Sequence, residues 1–508
     1  MSVSRRTVLK GALGVSIFPL VGFTADVRRS PVRVDPFTLG VASGEPVPDG
    51  VVLWTRLAPD PLADDGLGGM PARPVAVEWE VAADDRFARV EQRGVVDASP
   101  ESAHSVHVAL TGLRPNAEYF YRFRASGFVS STGRTRTAPA AGSMGALTMC
   151  VASCANYEHG WFTAYRRMAE EAPDLVVHLG DYSYEYATRP GAVRRHVGSE
   201  TVTLANYRQR YAQYRTDPDL QAAHAAAPWL VVFDDHEVSN NWADRMPEEP
   251  QPDFPARRAA ALQAYYENMP LRSAAQPRGA DMQLYRRIEW GALATFHMLD
   301  TRQYRSDQAC GDVYRSDCPE RFDIARTLTG SAQEHWLING FQQSRARWDI
   351  IGQQVFFSQL DLSPGPQRGV NPDAWDGYVA NRDRLVAGML NSPVRNAVVL
   401  TGDVHAHWAA EVRERADDPL SRTAATELVM TSITSGGDGS DTRADVDAIL
   451  PQNPHIRYFS NRRGYLRARV TPDDLQADFR IVPYVSRPGA AVHTGATFTV
   501  PDRIPRLL

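Results

Sequence analysis

Cysteine is scarce in this 508-residue chain: four residues, at 150, 154, 310 and 318. So few cannot hold a disulfide scaffold together, so an apolar core must do so. Cys310 and Cys318 bracket a short polar segment, Gly311 to Asp317, that reads as a loop closed by one bridge, whereas Cys150 and Cys154 lie in or near an apolar run. One disulfide and one cysteine with another task are expected. A basic surplus is also missing: 55 Lys and Arg against 60 Asp and Glu give a net charge of −5, which excludes the electrostatic footprint of a nucleic-acid-binding module. There is no internal repeat or low-complexity tract. With 43% hydrophobic and 23% charged residues the chain has the composition of a globular protein, and its length predicts two domains and a leader.

Residues 1–29 carry paired arginines, Arg5 and Arg6, and then a weakly apolar stretch broken by Gly11, Gly14, Pro19 and Gly22. That stretch is too short and too glycine-rich for a span of about 20 apolar residues. It reads as a targeting segment. Ser4 to Lys10 resembles the twin-arginine box, with Val8 where the usual pattern has Phe. The expectation is a secreted protein, extracellular or periplasmic, handed folded and cofactor-loaded to the twin-arginine translocase.

Residues 30–140 hold short runs rich in Val, Trp, Tyr and Thr between Gly, Pro, Asp and Asn, which predicts a β-sandwich. Val75 to Val81 alternates with period two, and Leu113 to Phe123 resembles the tyrosine corner of fibronectin type III-like domains. A small-residue linker follows, Thr137 to Gly145. Over 146–508, the runs LTMCVAS, LVVHLG, WLVVFD, ALATFHML, WDIIGQQVFF and AVVLTG alternate with longer polar stretches. This is the pattern of an α/β domain with strands buried on both faces. Ligands of such sheets gather beyond the carboxyl ends of the strands.

There the sequence offers Cys154, then Asp181 and Tyr184, then Asp235 and His236, then Asp403 and His405. One carboxylate at a strand end is ordinary, because Asp caps helices and starts turns. Four such sites converging on one rim need cations to balance them. Arg302 and Arg305 are candidates to hold phosphate oxygens, with structural ion pairs to Asp300 or Asp307 as the alternative. His178 reads as a core histidine or one that supports a ligand from behind, and Tyr182 as packing, while His407 reads equally as pocket-lining or solvent-facing. Asn461 to Val470 and the tail are candidates to cover the site, a question the sequence leaves open.

GDYSYEY (180–186), DDHEVSNNW (234–242), LDTRQYR (299–305) and TGDVHAHW (401–408) resemble the signatures of the alkaline phosphatase D family of calcineurin-like metallophosphoesterases. Phe37 to Leu57 resembles that family's N-terminal β domain. The resemblance implies a fibronectin type III-like β-sandwich followed by a four-layer α/β/β/α metallophosphoesterase domain. It implies one Fe³⁺ with Ca²⁺. The departures agree: Cys154 stands first, Asp235 replaces the superfamily's Asn and Asp403 a His, and hard oxygen ligands suit Ca²⁺ or Mg²⁺ better than Zn²⁺. Tyr184 adds a phenolate, as in the iron-containing purple acid phosphatases. On this reading Cys154, Tyr184 and His405 bind iron, Asp181 bridges, and Asp235 and Asp403 bind calcium, with Asn240 or Asn241 completing the shell. Two cations about 3.5 to 4 Å apart clamp an in-line displacement and acidify the attacking water. His236 stabilises the phosphoryl charge or protonates the leaving oxygen. Expected substrates are small phosphate esters. The alternatives are a phospholipase D-type phosphodiesterase acting on phospholipid or teichoic-acid-like diesters, and a non-enzymatic cell-surface binding module with a structural metal.

Overall fold

Strands buried on both faces need apolar side chains at every position, and the six apolar runs after residue 146 all form them. In the computed structural model, which describes residues 32–508 apart from 315, 416 and 419, Leu147–Ala152, Leu175–His178 and Pro228–Val231 lie parallel in one sheet. Ala294–Met298, Trp348–Gln353 and Ala397–Thr401 lie parallel in a second. The expected leader and its arginine pair lie outside the described residues. The architecture is α/β with mixed sheets.

The first sheet has nine strands, in the order His493–Pro501, Asp474–Val482, Arg463–Val470, Leu147–Ala152, Leu175–His178, Pro228–Val231, Val41–Val47, Gly50–Arg56 and Ser105–Ala109. The second has seven: Arg286–Trp290, Ala294–Met298, Trp348–Gln353, Ala397–Thr401, Thr423–Val429, His407–Arg413 and Ile456–Ser460. Successive residues of one strand serve two cores, because side chains alternate across a sheet. Val398 and Leu400 share a core with Val151 and Val177 of the first sheet. Val399, between them, packs with Leu337, Phe341 and Leu385 of the helices Gly330–Gln343 and Val379–Leu390. The helices Thr163–Glu170, Leu204–Arg215, Pro218–Ala226 and Phe254–Asn268 contribute Tyr165, Tyr211, Leu220 and Leu262 to the core of the first sheet. Local chemistry starts three of them. Thr203 and Asn206 form a reciprocal capping box, while Asp217 and Asp253 accept from first-turn N–H groups with Pro218 and Pro255 in that turn.

The N-terminal segment is joined to the rest through the sheet itself. Val41–Val47 pairs parallel with Pro228–Val231, and Gly50–Arg56 and Ser105–Ala109 continue the same sheet. Facing them, Val90–Ala98, Val75–Ala82, Glu118–Ala125 and Phe128–Val129 form a separate sheet, with Gly133–Arg136 also on Glu118–Ala125. Val41 and Leu53 from one layer meet Val77, Tyr121 and Phe123 from the other. The Tyr119 hydroxyl accepts from the Arg114 N–H at 2.9 Å, the contact of a tyrosine corner. Residues 137–146 link the segments without a helix or strand.

Two expectations are decided here. Cys310 and Cys318 are bridged, with Cα atoms 6.0 Å apart, and Cys150 and Cys154 are buried free thiols. The stretch Asn461 to Val470 does not cover the site: Arg463–Val470 is an interior strand, paired antiparallel with both Leu147–Ala152 and Asp474–Val482. Its Tyr465, Leu466, Ala468 and Val470 are buried, and that apolar surface belongs in a core rather than on a lid.

Candidate metal centre

Each candidate ligand sits where an apolar strand ends and the backbone turns sharply. Cys154, Asp181, Asp403 and His405 all have left-handed backbone, with φ of 60°, 54°, 59° and 55°. Non-glycine residues hold this region at a cost of about 1 to 3 kcal/mol each, a strain that gathers at functional sites. Gly180, at φ 106°, is a glycine for a second reason as well: a Cβ there would stand 2.5 Å from Asp234 Cβ. Its absence lets the loop after Leu175–His178 meet the loop after Pro228–Val231. The Glu237 carboxylate fastens the two, accepting from the N–H groups of Asp181, Tyr182 and Asp234 at 3.1, 2.6 and 2.9 Å.

Three groups of ligand atoms result, each with its members within 4.8 Å of one another: Cys154, Asp181 and His405; Asp181, Asp235 and His236; Asp234, Asp235 and Asp403. Asp181 belongs to the first two and Asp235 to the last two, so the groups form one continuous chain. Tyr184 closes the first. Its hydroxyl donates to Asp181 Oδ2 at 2.9 Å, lies 3.2 Å from His405 Nε2 and accepts from Ser435 Oγ at 2.6 Å.

The charge balance calls for cations. Burial, opposed by His236, pushes the Asp181 carboxyl up to about 7. Burial and neighbouring carboxylates raise Asp234 and Asp403 well above the ordinary range. At Asp235 burial acts the same way, but the charges of His236 and Arg302 override it and hold the group down. Cys154 and Tyr184 are pushed far up by burial and by Asp181. Asp234 Oδ2 and Asp235 Oδ1 are buried without a hydrogen bond. Buried carboxylate oxygens rarely go without a hydrogen bond, and these two, the second with only the Arg302 guanidinium at 3.7 Å, fit metal ions together with the thiol, phenol and imidazole alongside.

The remaining predicted residues fall on both sides of this boundary. His236 is in the cluster, its Nδ1 donating to Glu185 Oε2 at 2.8 Å, with its ring 4.1 Å from that of Tyr184. Asn240 is not brought in: its Nδ2 donates to Glu248 Oε2, and it is the Asn241 N–H that reaches Asp235 Oδ2, at 2.8 Å. Both arginines are buried and held by carboxylates. Arg302 is fully buried, with Nε on Asp234 Oδ1 at 2.6 Å and its two terminal nitrogens on Asp373 at 2.9 and 3.1 Å. Arg305 meets Asp373 and the Tyr378 hydroxyl. Of the two readings considered for them the structural ion pair holds, with Asp234 and Asp373 as partners instead of Asp300 or Asp307. His178 and Tyr182 are buried, bonded to the Tyr165 hydroxyl and to His224. His407 is buried against Phe479 and neither lines the site nor faces solvent.

Sequence reasoning finds Asp234, Glu185 and Glu237 at the strand ends without giving them a role, and passes over Asp373 and Ser435. The first three sit inside or beside the quoted motifs and were legible as polar residues at buried strand ends. Asp373 and Ser435 come from loops far along the chain with no local signal.

The family model described as PhoD-like phosphatase matches residues 149–479, and that described as PhoD-like phosphatase, N-terminal domain, matches residues 24–139. Alkaline phosphatase D of Bacillus subtilis (strain 168) is 48% identical over 510 residues, covering 97% of this chain and 87% of that protein. A solved structure of PhoD superposes with a TM-score of 0.91 at 49% identity, over 94% of this chain and 93% of that one. The purple acid phosphatase PPD1 from yellow lupin seeds shares the fold at 11% identity, with a TM-score of 0.53 over 91% of this chain and 73% of its own. A match along almost the whole chain, with the thiol, phenol and carboxylates gathered at the strand ends, makes this chain a member of the PhoD-like phosphatase family.

Proposed function

We propose that the protein is a secreted enzyme whose chained ligand groups hold Fe³⁺ and Ca²⁺ for attack on phosphate esters. That it is a metal-dependent hydrolase of phosphate esters follows from its family and its ligand clusters. The observation that carries the finer reading is the sharing of Asp181 and Asp235 between adjacent groups, with a carboxylate oxygen of Asp234 and one of Asp235 that no hydrogen bond satisfies. Cys154, Tyr184 and His405 would hold iron. Asp181 would bridge. Asp234, Asp235 and Asp403 would hold calcium, the all-oxygen end suiting the harder ion. When bound, the cations supply charge neutralisation for the phosphoryl oxygens and acidify water near neutral pH. His236 does the proton work. Glu185 can only accept, so it takes the Nδ1 proton and leaves Nε2 to give a proton to the leaving oxygen or to hold phosphoryl charge.

The finer architecture belongs to the same reading. Of the predicted domain 30–140, the described residues from 32 onward form a fibronectin type III-like sandwich, a reading supported by two facing layers and the Tyr119 corner. Residues 146–508 form the α/β/β/α catalytic domain, supported by the separate cores on the two sides of the second sheet. Export through the twin-arginine translocase rests on Arg5 and Arg6.

Turnover of p-nitrophenyl phosphate and bis-p-nitrophenyl phosphate by metal-loaded protein tests the activity. EGTA should abolish hydrolysis, and Ca²⁺ should restore it better than Zn²⁺. Full activity in excess EGTA would refute the calcium assignment, and no turnover of either ester would refute the hydrolase.

A further inference from the structure

With Arg302 and Arg305 committed to buried carboxylates, the phosphoryl group must find its other hydrogen-bond donors elsewhere on the rim. Two are available. His159 ends the turn Tyr157–His159, and its Nδ1 accepts the Gly436 N–H at 3.0 Å. That bond fixes the tautomer: the proton is on Nε2. Among the described residues no hydrogen bond occupies Nε2, and the ring is half-buried. The residue before Gly436 is Ser435, which donates to the Tyr184 hydroxyl, so one loop touches both His159 and the metal centre.

Arg189 is the second donor. Its guanidinium carbon lies 4.2 Å from the centre of the Tyr186 ring, and that ring is 5.3 Å from His236. The side chain is exposed, and among the described residues no carboxylate pairs with it. Its own N–H is tied to Glu158 Oε2 at 3.2 Å, the residue preceding His159. The two donors therefore stand on adjoining anchors beside the cluster. A guanidinium stacked on an aromatic ring keeps its planar fork free for phosphate while losing little further rotamer freedom.

The geometry assigns His159 and Arg189 as a substrate-anchoring pair that reads the second negative charge of a phosphomonoester. A monoester carries about −1.5 to −2 at pH 7 and presents three non-bridging oxygens, as a phosphorylated side chain does. A diester has a single charge and one such oxygen fewer. The pair therefore favours monoesters, an inference that rests on the hydrolase reading above and sets the substrate preference within it.

The test uses metal-loaded enzyme, with metal content measured for every variant. Arg189→Ala and His159→Ala should each raise KM for p-nitrophenyl phosphate, and Ki for inorganic phosphate, by about tenfold, a loss of about 1.4 kcal/mol. The diester KM should move far less, so the monoester preference narrows. Arg189→Lys should recover part of the loss. Arg195→Ala, an exposed arginine on the same segment, serves as the control and should move neither constant. Phosphate Ki values unchanged within twofold in both alanine variants, or equal shifts for monoester and diester, would overturn the assignment. If the wild type turns over neither ester, the hydrolase reading falls by itself, and calorimetric binding of inorganic phosphate to the same variants still decides the anchoring pair.

Discussion

His236 Nδ1 rests on a carboxylate that also takes the Asn240 N–H at 2.8 Å, so Glu185 fixes both the ring and the loop that follows. Groups that orient a site in this way are worth about 10- to 100-fold in activity. Glu185→Gln should lower kcat by that factor, with KM changing less. Unaltered kcat would remove Glu185 from the mechanism. Arg302 makes the opposite prediction. Removing one member of a buried ion pair costs about 3 to 5 kcal/mol, because the partners stay buried and uncompensated. Arg302→Ala should therefore lower unfolding stability by that order, measured in urea. A folded variant of wild-type stability with only KM raised would restore the phosphate-clamp role. Much of the site was legible in the sequence because its ligands follow apolar runs directly, as Asp181 follows Leu175–His178. The role of Arg302 was not, because its partner Asp373 lies in a loop 71 residues away. Asn240 and Asn241 cannot be told apart by type, and only the left-handed turn at Asn241, φ 46°, brings the second of them to Asp235.

At the scale of elements, the same burial that makes Leu175–His178 recognisable as a strand puts a histidine where it cannot take a proton. His178 is stacked on Trp229, with ring centres 5.7 Å apart, and meets the Tyr182 ring edge-on at 5.4 Å, and burial pulls it down to about 3. The unfolded chain titrates it near about 6.5. Below that pH the unfolded state takes up a proton the folded state refuses, so stability falls as pH drops, by at most about 1.4 kcal/mol per unit until about pH 3. His178→Gln should flatten the urea-derived stability profile between pH 6 and pH 4 by that slope relative to wild type. Parallel profiles would contradict the buried neutral histidine. The strands themselves were readable from apolar runs and alternation. The place of Arg463–Val470 was not legible, because Arg463, Arg467 and Arg469 interrupt Tyr465, Leu466 and Ala468, and only pairing with Leu147–Ala152 reveals which face is buried.

At the scale of the whole molecule, sheet continuity predicts cooperative behaviour. Arg56 is fully buried among the carbonyls of Ala103, Arg208 and Gly66 and the Asn268 side chain, and so ties the N-terminal strands to the helices Leu204–Arg215 and Phe254–Asn268. With Val41–Val47 hydrogen-bonded to Pro228–Val231, the N-terminal segment should unfold together with the rest in a single calorimetric transition. Two separated transitions would show an autonomous N-terminal domain. The central claim is that Cys154, Asp181, Tyr184 and His405 hold a ferric ion at the head of the ligand chain. The visible absorption spectrum of the as-purified, oxidised holoprotein, recorded beside Tyr184→Phe with iron measured in both, tests it most directly. The account predicts a charge-transfer band in the wild type that shifts or weakens in the variant as iron and activity fall. A wild type that is colourless and free of iron, yet hydrolyses phosphate esters at full rate, would contradict it.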